Sequence, residues 1–160
     1  MSIKPQKLIM LRGIFDELAL QKLVRSKVKK VYILEGRPNL DASQFAVKAL
    51  NERGIKPVLI SDNMAGFLFA KGLVKEVWLS YQMVDQKGAV CRIGALILAV
   101  LAKKHKVPVY LFKSGVKVKF MGKPQELFFF LGERIAPKGI RAYVPQVEWV
   151  PQRYITKRYE

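Results

Sequence analysis

Short apolar runs alternate with longer segments of helical periodicity, and this alternation constrains the fold more than any other feature of the sequence. Val31–Leu34 and Val58–Ile60 are runs of apolar, strand-favouring residues, and residues 41–53 between them carry apolar side chains at helical spacing. Strands that alternate with helices are typical of βαβ units, in which helices cover both faces of a parallel sheet. The sequence therefore predicts an α/β fold with a Rossmann-like open parallel sheet.

Two further strands and a long helix continue the same pattern. We expect strands at Val77–Leu79 and Val107–Phe112. Residues 80–88 are polar and predict a loop, whereas residues 90–104 are apolar nearly all round and predict a deeply buried helix. The order strand, helix, strand is thus kept as far as Phe112.

The two ends of the chain depart from this alternation. Residues 6–24 carry leucines and other apolar residues at helical spacing, which predicts a short N-terminal helix. The tail from Tyr143 onward is rich in aromatic residues and prolines and predicts an extended C-terminal arm. We therefore divide the chain into an N-terminal helix with its linker, residues 1–27, and a Rossmann-type domain, residues 28–160.

Composition narrows the class of protein. The chain has 29 Lys and Arg against 12 Asp and Glu, a net charge of +17. Such an excess attracts nucleic acids, although a solvated, lysine-rich surface has the same composition, and no compact arginine cluster accompanies it. The single cysteine, Cys91, excludes a disulfide framework within the chain, and no apolar run reaches the length of a membrane span. We expect a cytoplasmic protein without membrane contact.

No sequence motif indicates a metal or a cofactor. His105 lies beside three lysines near the end of the predicted long helix and has no metal ligand at useful spacing, so we expect it at a surface helix terminus. The glycine-rich signatures of dinucleotide and P-loop sites are missing. We therefore predict no metal and no cofactor.

Polar residues follow the predicted strands at their carboxyl ends, where open parallel sheets bind ligands. These residues predict a phosphate or sugar-phosphate site, in which cationic side chains and helix N-termini hold the anion. Its candidate ligands are Arg37, Asn63, Arg92 and Lys113. Two alternatives stay open: Arg37 pairs with Glu35 or Asp41, and Asp62 only caps the next helix.

Several segments carry a resemblance to a known family. They are Val31–Pro38, Gly54–Ala65, Ile93–His105, Val107–Tyr110 and Pro145–Thr156. In this order they resemble the C-terminal domain of the initiation factor 2B alpha/beta/delta regulatory subunits. That family also contains methylthioribose-1-phosphate isomerase and ribose-1,5-bisphosphate isomerase. The resemblance covers about residues 28–160, and the family's helical N-terminal domain is mostly missing.

The departures from the isomerases concern their site residues. Tyr81 falls where they place an aspartate, Cys91-Arg92 replaces an Asn-Lys pair, and Asp41 replaces a glutamine. Their catalytic cysteine has no counterpart upstream of the first predicted strand, and Asp85 lies in the corresponding loop but several residues late. The resemblance therefore adds Asp41 and Tyr81 to the candidate ligand site and implies no catalytic residue.

The chemistry of the isomerases supports the same prediction. Aldose–ketose isomerisation needs a positioned acid and base, and a tyrosine is a poor base near neutral pH. We expect a non-catalytic binding and assembly protein related to the regulatory subunits, which takes a phosphorylated small molecule or a nucleotide. The alternatives are a sugar-phosphate isomerase with rearranged catalytic residues and an RNA-binding protein that uses its basic surface.

Aromatic residues concentrate in the last third of the chain and predict self-association. The resemblance implies pairing through this domain, and exposed aromatic patches usually mark interfaces. A twofold homodimer is the commonest closed oligomer. The residues that we expect at its interface are Phe128, Phe129, Trp149 and Tyr154. In the alternative arrangement, the C-terminal arm folds back over its own sheet.

Overall fold

The computed structural model describes residues 7–26 and 30–160. Its strands are β1 (Leu8–Arg12), β2 (Val31–Leu34), β3 (Val58–Ile60), β4 (Val74–Val84), β5 (Gly88–Arg92), β6 (Val109–Lys113), β7 (Phe129–Phe130), β8 (Glu133–Arg134), β9 (Val147–Pro151) and β10 (Lys157–Arg158). Its helices are α1 (Glu17–Arg25), α2 (Asp41–Asn51), α3 (Ala65–Ala70), α4 (Ala95–Lys104) and α5 (Gln125–Phe128), with 3-10 turns at Asp62–Met64 and Gln152–Tyr154.

The main sheet is parallel in its centre and antiparallel along one branch. The parallel strands follow the order β10-β6-β4-β1-β2-β3. β5 pairs with β4 in antiparallel orientation, and β9 pairs with β5 in the same way. Strands β7 and β8 form a separate small hairpin. Helices α1 and α2 pack on one face of the sheet, and α3 and α4 pack on the other. The predicted α/β class is therefore confirmed, with an antiparallel branch added.

The prediction of one helix over residues 6–24 is wrong, because the N-terminal segment forms a strand followed by a helix. Its first half is β1, which lies in the middle of the sheet between β2 and β4. Leu8, Ile9, Met10 and Leu11 are buried on both faces of the sheet, and a central strand of this kind is apolar at every position. Only the second half is helical, because Asp16 caps α1 by accepting a hydrogen bond from the Ala19 N–H.

The segment around residues 80–94 also differs from the prediction. The expected loop at 80–88 is mostly strand, because β4 continues to Val84 and turns into β5. The Asp85 carboxylate stabilises this turn by accepting hydrogen bonds from the N–H groups of Lys87 and Gly88. The long helix therefore begins at Ala95 and not near residue 90.

Helix α4 is buried on one side only, although its sequence is apolar nearly all round. Its small residues and Leu98 pack against the sheet, whereas Ile97 and Val100 are exposed. His105 forms its exposed C-cap, as expected. No helix in the described part of the chain is long and apolar enough to span a membrane.

Candidate functional site

An arginine that the sequence analysis did not identify lies at the centre of the strand ends. Arg12 is the last residue of β1, and only 4% of it is exposed. Its Nε donates a hydrogen bond to the Ile93 carbonyl oxygen at 2.9 Å, while its Nη1 is buried and has no hydrogen-bond partner among the described residues. Burial lowers the pKa of Arg12, and the nearby Asp62 carboxylate opposes that change.

Two glycines make room for the Arg12 guanidinium. A Cβ on Gly36, which has a φ of +78°, would lie 2.6 Å from Nη1 of Arg12. A Cβ on Gly94, the N-cap of α4 with a φ of +92°, would lie 3.4 Å from Nε. Both positions have backbone conformations that favour glycine. The guanidinium therefore packs between the loop after β2 and the start of α4.

Arg92 forms an ion pair with Asp41 beside Arg12. Nη1 of Arg92 lies 2.6 Å from Oδ1 of Asp41, and Nη2 lies 2.9 Å from Oδ2. The Arg92 side chain is 3% exposed and that of Asp41 is 45% exposed. Nε of Arg92 is buried and has no partner within the described residues. Asp41 thus pairs with Arg92, and the alternative that it pairs with Arg37 is wrong.

Asp62 holds the loop that follows β2. Its carboxylate accepts hydrogen bonds from the Gly36 N–H at 2.9 Å and the Arg37 N–H at 2.8 Å. The expected helix cap is not formed, since no side chain caps either the 3-10 turn at Asp62–Met64 or α3. The carboxylates of Asp41 and Asp62, which lie near Arg12, are therefore already engaged, and that of Glu148 accepts the Leu96 N–H.

The other predicted cationic and amide ligands lie in separate surroundings. Arg37 donates hydrogen bonds at 3.3 Å to the carbonyl oxygens of Leu127 and Phe129, and not to Glu35 as one alternative held. Asn63 is exposed and accepts a hydrogen bond from the Ser61 hydroxyl. Lys113 is exposed at the end of β6. Their membership of a phosphate site stays a prediction.

Tyr81 and Cys91 face each other across β4 and β5. Tyr81 is buried, and burial raises the pKa of its phenol. Cys91 is fully buried inside a strand, where burial raises the pKa of its thiol to about 12. Cys91 therefore lies in a strand and not in the predicted long helix over residues 90–104, and its thiol is buried in the core.

A largely apolar groove lies next to these residues. It has a volume of about 260 Å³ and runs between the loop after β2, at Arg37 and Pro38, and the segment near Leu127 and Val144. Ile93 also lines it, and the carbonyl oxygen of the same residue accepts the hydrogen bond from Arg12. Ile93 thus contacts Arg12 through its carbonyl oxygen and also lines the groove, whereas Arg12 itself does not line it.

No group of histidine, cysteine and carboxylate residues in the described ranges is arranged to bind a metal ion. Arg12 was not predicted to be a site residue because residues 8–12 were assigned to a helix. The signal that would have identified it is a charged residue directly after four consecutive apolar residues and directly before a glycine. That pattern is typical of a central strand that ends at a ligand-binding edge.

Comparison with known proteins identifies relatives of this chain. The chain matches the Initiation factor 2 subunit family over residues 15–158. A methylthioribose-1-phosphate isomerase from Thermus thermophilus is 33% identical to it over 142 residues. That alignment covers 81% of this chain and 43% of the isomerase, so the chain spans less than half the length of this relative.

Two solved structures share the fold. The delta subunit of translation initiation factor eIF-2B from A. fulgidus has a TM-score of 0.81 at 24% identity, over 98% of this chain and 52% of the other. A 5-methylthioribose 1-phosphate isomerase from Pyrococcus horikoshii has the same TM-score and identity, over 98% of this chain and 50% of the other. The resemblance read from the sequence is thereby confirmed, and the chain belongs to the Initiation factor 2 subunit family.

Proposed function

We propose that the chain is a ligand-binding and assembly module that does not isomerise sugar phosphates. This proposal rests on the hydrogen bonds and the protonation of the acidic groups around the strand ends. Asp41 pairs with Arg92, and both oxygens of Asp62 accept backbone N–H groups. The phenol of Tyr81 and the thiol of Cys91 are protonated at neutral pH, and burial raises the pKa of each further.

Isomerisation between an aldose and a ketose moves hydrogen between adjacent carbons. A general base for this step needs a pKa near the working pH and free access to the substrate. A phenol and a thiol with raised pKa values lack the first property, and the oxygens of the two carboxylates already accept hydrogen bonds from Arg92 and from backbone N–H groups. The arrangement is better suited to holding a ligand than to transforming it.

An assay of the purified protein tests this proposal. We expect no ketose product from methylthioribose 1-phosphate or from ribose 1,5-bisphosphate, while the Thermus thermophilus relative, assayed in parallel, shows that the assay works. Turnover that disappears in Tyr81→Phe or Asp85→Asn would overturn the proposal. Turnover that persists unchanged in both variants would indicate a contaminating enzyme.

The second candidate function is a sugar-phosphate isomerase with rearranged residues. It is favoured by the relatives themselves, which include isomerases of methylthioribose 1-phosphate and of 5-deoxyribose 1-phosphate at 31–34% identity. Asp85 is the acid nearest in sequence to the replaced position. It lies four residues beyond Tyr81, roughly 13 Å along an extended strand, and its carboxylate stabilises a turn. A catalytic Asp85 would therefore have to leave that turn.

A further inference from the structure

We propose that the amino edge of the sheet binds single-stranded nucleic acid, and that one base of the strand enters an aromatic cavity at that edge. The amino edge is defined by the first residues of the parallel strands β1, β2, β3, β4, β6 and β10. In a βα fold the helices that follow the strands return to this edge, so their carboxyl ends lie there too. The candidate site occupies the opposite edge, so this inference goes beyond the proposed function and does not depend on it.

Each of the six parallel strands has an exposed lysine at or near its amino end. These lysines are Lys7 at β1, Lys30 at β2, Lys56 at β3, Lys75 at β4, Lys106 at β6 and Lys157 at β10. Neighbouring strands of a sheet lie about 4.8 Å apart. The fold therefore brings lysines that are dispersed over most of the sequence together along one edge.

Helix dipoles do not account for these lysines. A cation in the last turn of a helix compensates for the negative end of the dipole, and Lys22 and Arg25 of α1 and Lys48 of α2 are of this kind. The six strand lysines lie outside the helices. They therefore add to the cations that the helix ends already bring to the same edge.

The acidic residues are distributed in the opposite way. Asp16 caps α1 and Asp41 begins α2, and both helix starts lie at the carboxyl edge. Within residues 7–26 and 30–160, the acids near the amino edge are Glu52, just after α2, and Glu76 in β4. Glu76 already accepts a hydrogen bond from the Trp78 indole at 2.8 Å. The amino edge is thus strongly positive and attracts phosphate polymers.

A cavity of about 490 Å³ opens at this edge beside α1. Arg25, in the last turn of α1, and Glu76, near the start of β4, both line it. Its volume lies within the roughly 300–1,000 Å³ that is usual for sites that bind small planar groups. Its aromatic wall consists of Trp78, Tyr110 and Tyr159.

The aromatic wall combines ring surfaces with cations. Tyr110 and Tyr159 are half-buried, and their rings meet at 73° with centroids 5.9 Å apart. Nζ of Lys22 lies 4.3 Å from the centroid of the Tyr159 ring, and Nζ of Lys157 lies 4.8 Å from it. Neither lysine belongs to an ion pair within the part of the chain that the structure describes. Both are therefore available to a phosphate that adjoins a base in the cavity.

A single strand fits both features of this edge. Its phosphates replace their counterions with the lysines, and its unstacked bases stack on aromatic rings. A duplex keeps its bases stacked inside the helix, so it would contact the lysines but not the cavity. An anionic membrane would be held by protruding apolar side chains, whereas this aromatic surface is concave.

Fluorescence anisotropy of labelled oligonucleotides measures the binding. The probes are uridine and deoxythymidine oligomers of about twelve nucleotides, since one domain covers roughly 4–16 nucleotides in proteins that bind single strands. We expect the single strands to bind more tightly than an RNA duplex of the same length. Tighter binding of the uridine oligomer would identify RNA as the ligand, and tighter binding of the thymidine oligomer would identify DNA.

The combined substitution Lys30→Gln and Lys75→Gln tests the lysines. We expect single-strand affinity to fall about fivefold or more, and the slope of log affinity against log salt to become shallower by about 1.4, because each phosphate contact contributes about 0.7. The matched control is Lys117→Gln with Lys119→Gln, which removes the same charge from exposed positions after β6. An equal loss of affinity in this control would reduce the effect to net charge and overturn the inference.

Tyr110→Leu tests the cavity, because it keeps an apolar side chain but removes the ring. Affinity should fall about fivefold or more while the salt slope stays unchanged, since stacking releases no counterions. The control is Tyr143→Leu, which removes an exposed ring elsewhere and should leave the affinity unchanged. Ultraviolet crosslinking to an iodouridine oligomer needs no substitution, and we expect adducts on Trp78, Tyr110 or Tyr159. Adducts confined to other residues would overturn the cavity assignment, even if Tyr110→Leu does not fold.

The remaining outcomes also decide the question. No binding of either single strand at physiological salt would overturn the inference, and so would equal affinity for the duplex. Binding to phosphatidylserine vesicles without binding to the oligomers would make this edge a membrane contact instead. The isomerase assay concerns the opposite edge, so its result and the result of these measurements can fail separately.

Discussion

At the scale of single residues, the Asp41–Arg92 ion pair joins the start of α2 to the end of β5 beside the strand ends. Arg92 is almost fully buried, so removing the charge of Asp41 leaves an uncompensated cation inside the domain. Breaking a fully buried pair costs about 3–5 kcal/mol, but Asp41 is nearly half exposed and solvent offsets part of the loss. The loss of stability on substitution of Asp41 therefore measures how much this ion pair stabilises the domain.

We predict that Asp41→Asn lowers the free energy of unfolding by about 1–3 kcal/mol. Urea unfolding followed by circular dichroism measures this change. The matched control is Glu17→Gln, which breaks the exposed pair with Arg53 and should cost less than about 1 kcal/mol. An equal loss of unfolding free energy in both variants would contradict a larger contribution of the Asp41–Arg92 pair.

At the scale of elements, β5 determines the reactivity of the only cysteine. Cys91 is the fourth residue of β5, which lies between β4 and β9, and burial raises the pKa of its thiol to about 12. Only the thiolate reacts readily with disulfide reagents. A disulfide reagent can therefore react with Cys91 only after β5 has separated from β4 and β9.

We predict that native protein reacts with an aromatic disulfide reagent only slowly, and that the rate rises at least tenfold in urea near the unfolding midpoint. Raising the pH from 7 to 9 should accelerate labelling of native protein far less than labelling of unfolded protein, since the folded thiol keeps its proton throughout that range. Absorbance of the released thiolate measures both rates. Rapid, stoichiometric labelling of native protein would contradict this assignment of Cys91.

The elements also show what sequence patterns can and cannot predict. β2 and β3 coincide with their predicted runs, because each is short, apolar and bounded by polar residues. β1 was missed because five consecutive residues that are buried on both sides have neither a period of two nor a helical period. β5 was missed because the polar residues between 80 and 88 were assigned to a loop, whereas β5 forms a hairpin with β4 and pairs on its other side with the distant β9.

The candidate site was predicted in part for the same reason. Asp62 and Arg92 were identified near predicted strand ends and helix starts, and Asp41 through the family resemblance, and all three lie around Arg12. Their partners were not predictable, since the Arg92–Asp41 contact and the Arg12–Ile93 contact join residues that are 51 and 81 positions apart. Local patterns thus located the edge of the sheet but not the contacts across it.

At the scale of the whole molecule, exposed aromatic residues remain after the C-terminal arm has joined the sheet. β9 pairs with β5 and β10 pairs with β6, so part of the arm does cover its own domain. Trp149 nevertheless stays 41% exposed and Phe129 38% exposed, whereas Phe128 and Tyr154 are half-buried. These aromatics are the basis for our proposal that two copies associate.

We predict a homodimer at micromolar concentration, which sedimentation across a hundredfold dilution series measures. Trp149→Ala or Phe129→Asp should shift the equilibrium toward the monomer, and Phe45→Ala on the exposed side of α2 is the control. Added salt should tighten the dimer, because it screens repulsion between two chains of charge +17. An 18.3 kDa monomer at every concentration would contradict the dimer.

The central place of β1 has a consequence for how the chain is made. Its neighbours, β2 and β4, both come later in the sequence, and β4 ends only at Val84. At about 5–20 residues per second of synthesis, several seconds pass between the appearance of β1 and that of its second neighbour. During that interval the almost wholly apolar β1 has an unpaired edge, and such edges favour aggregation and chaperone binding.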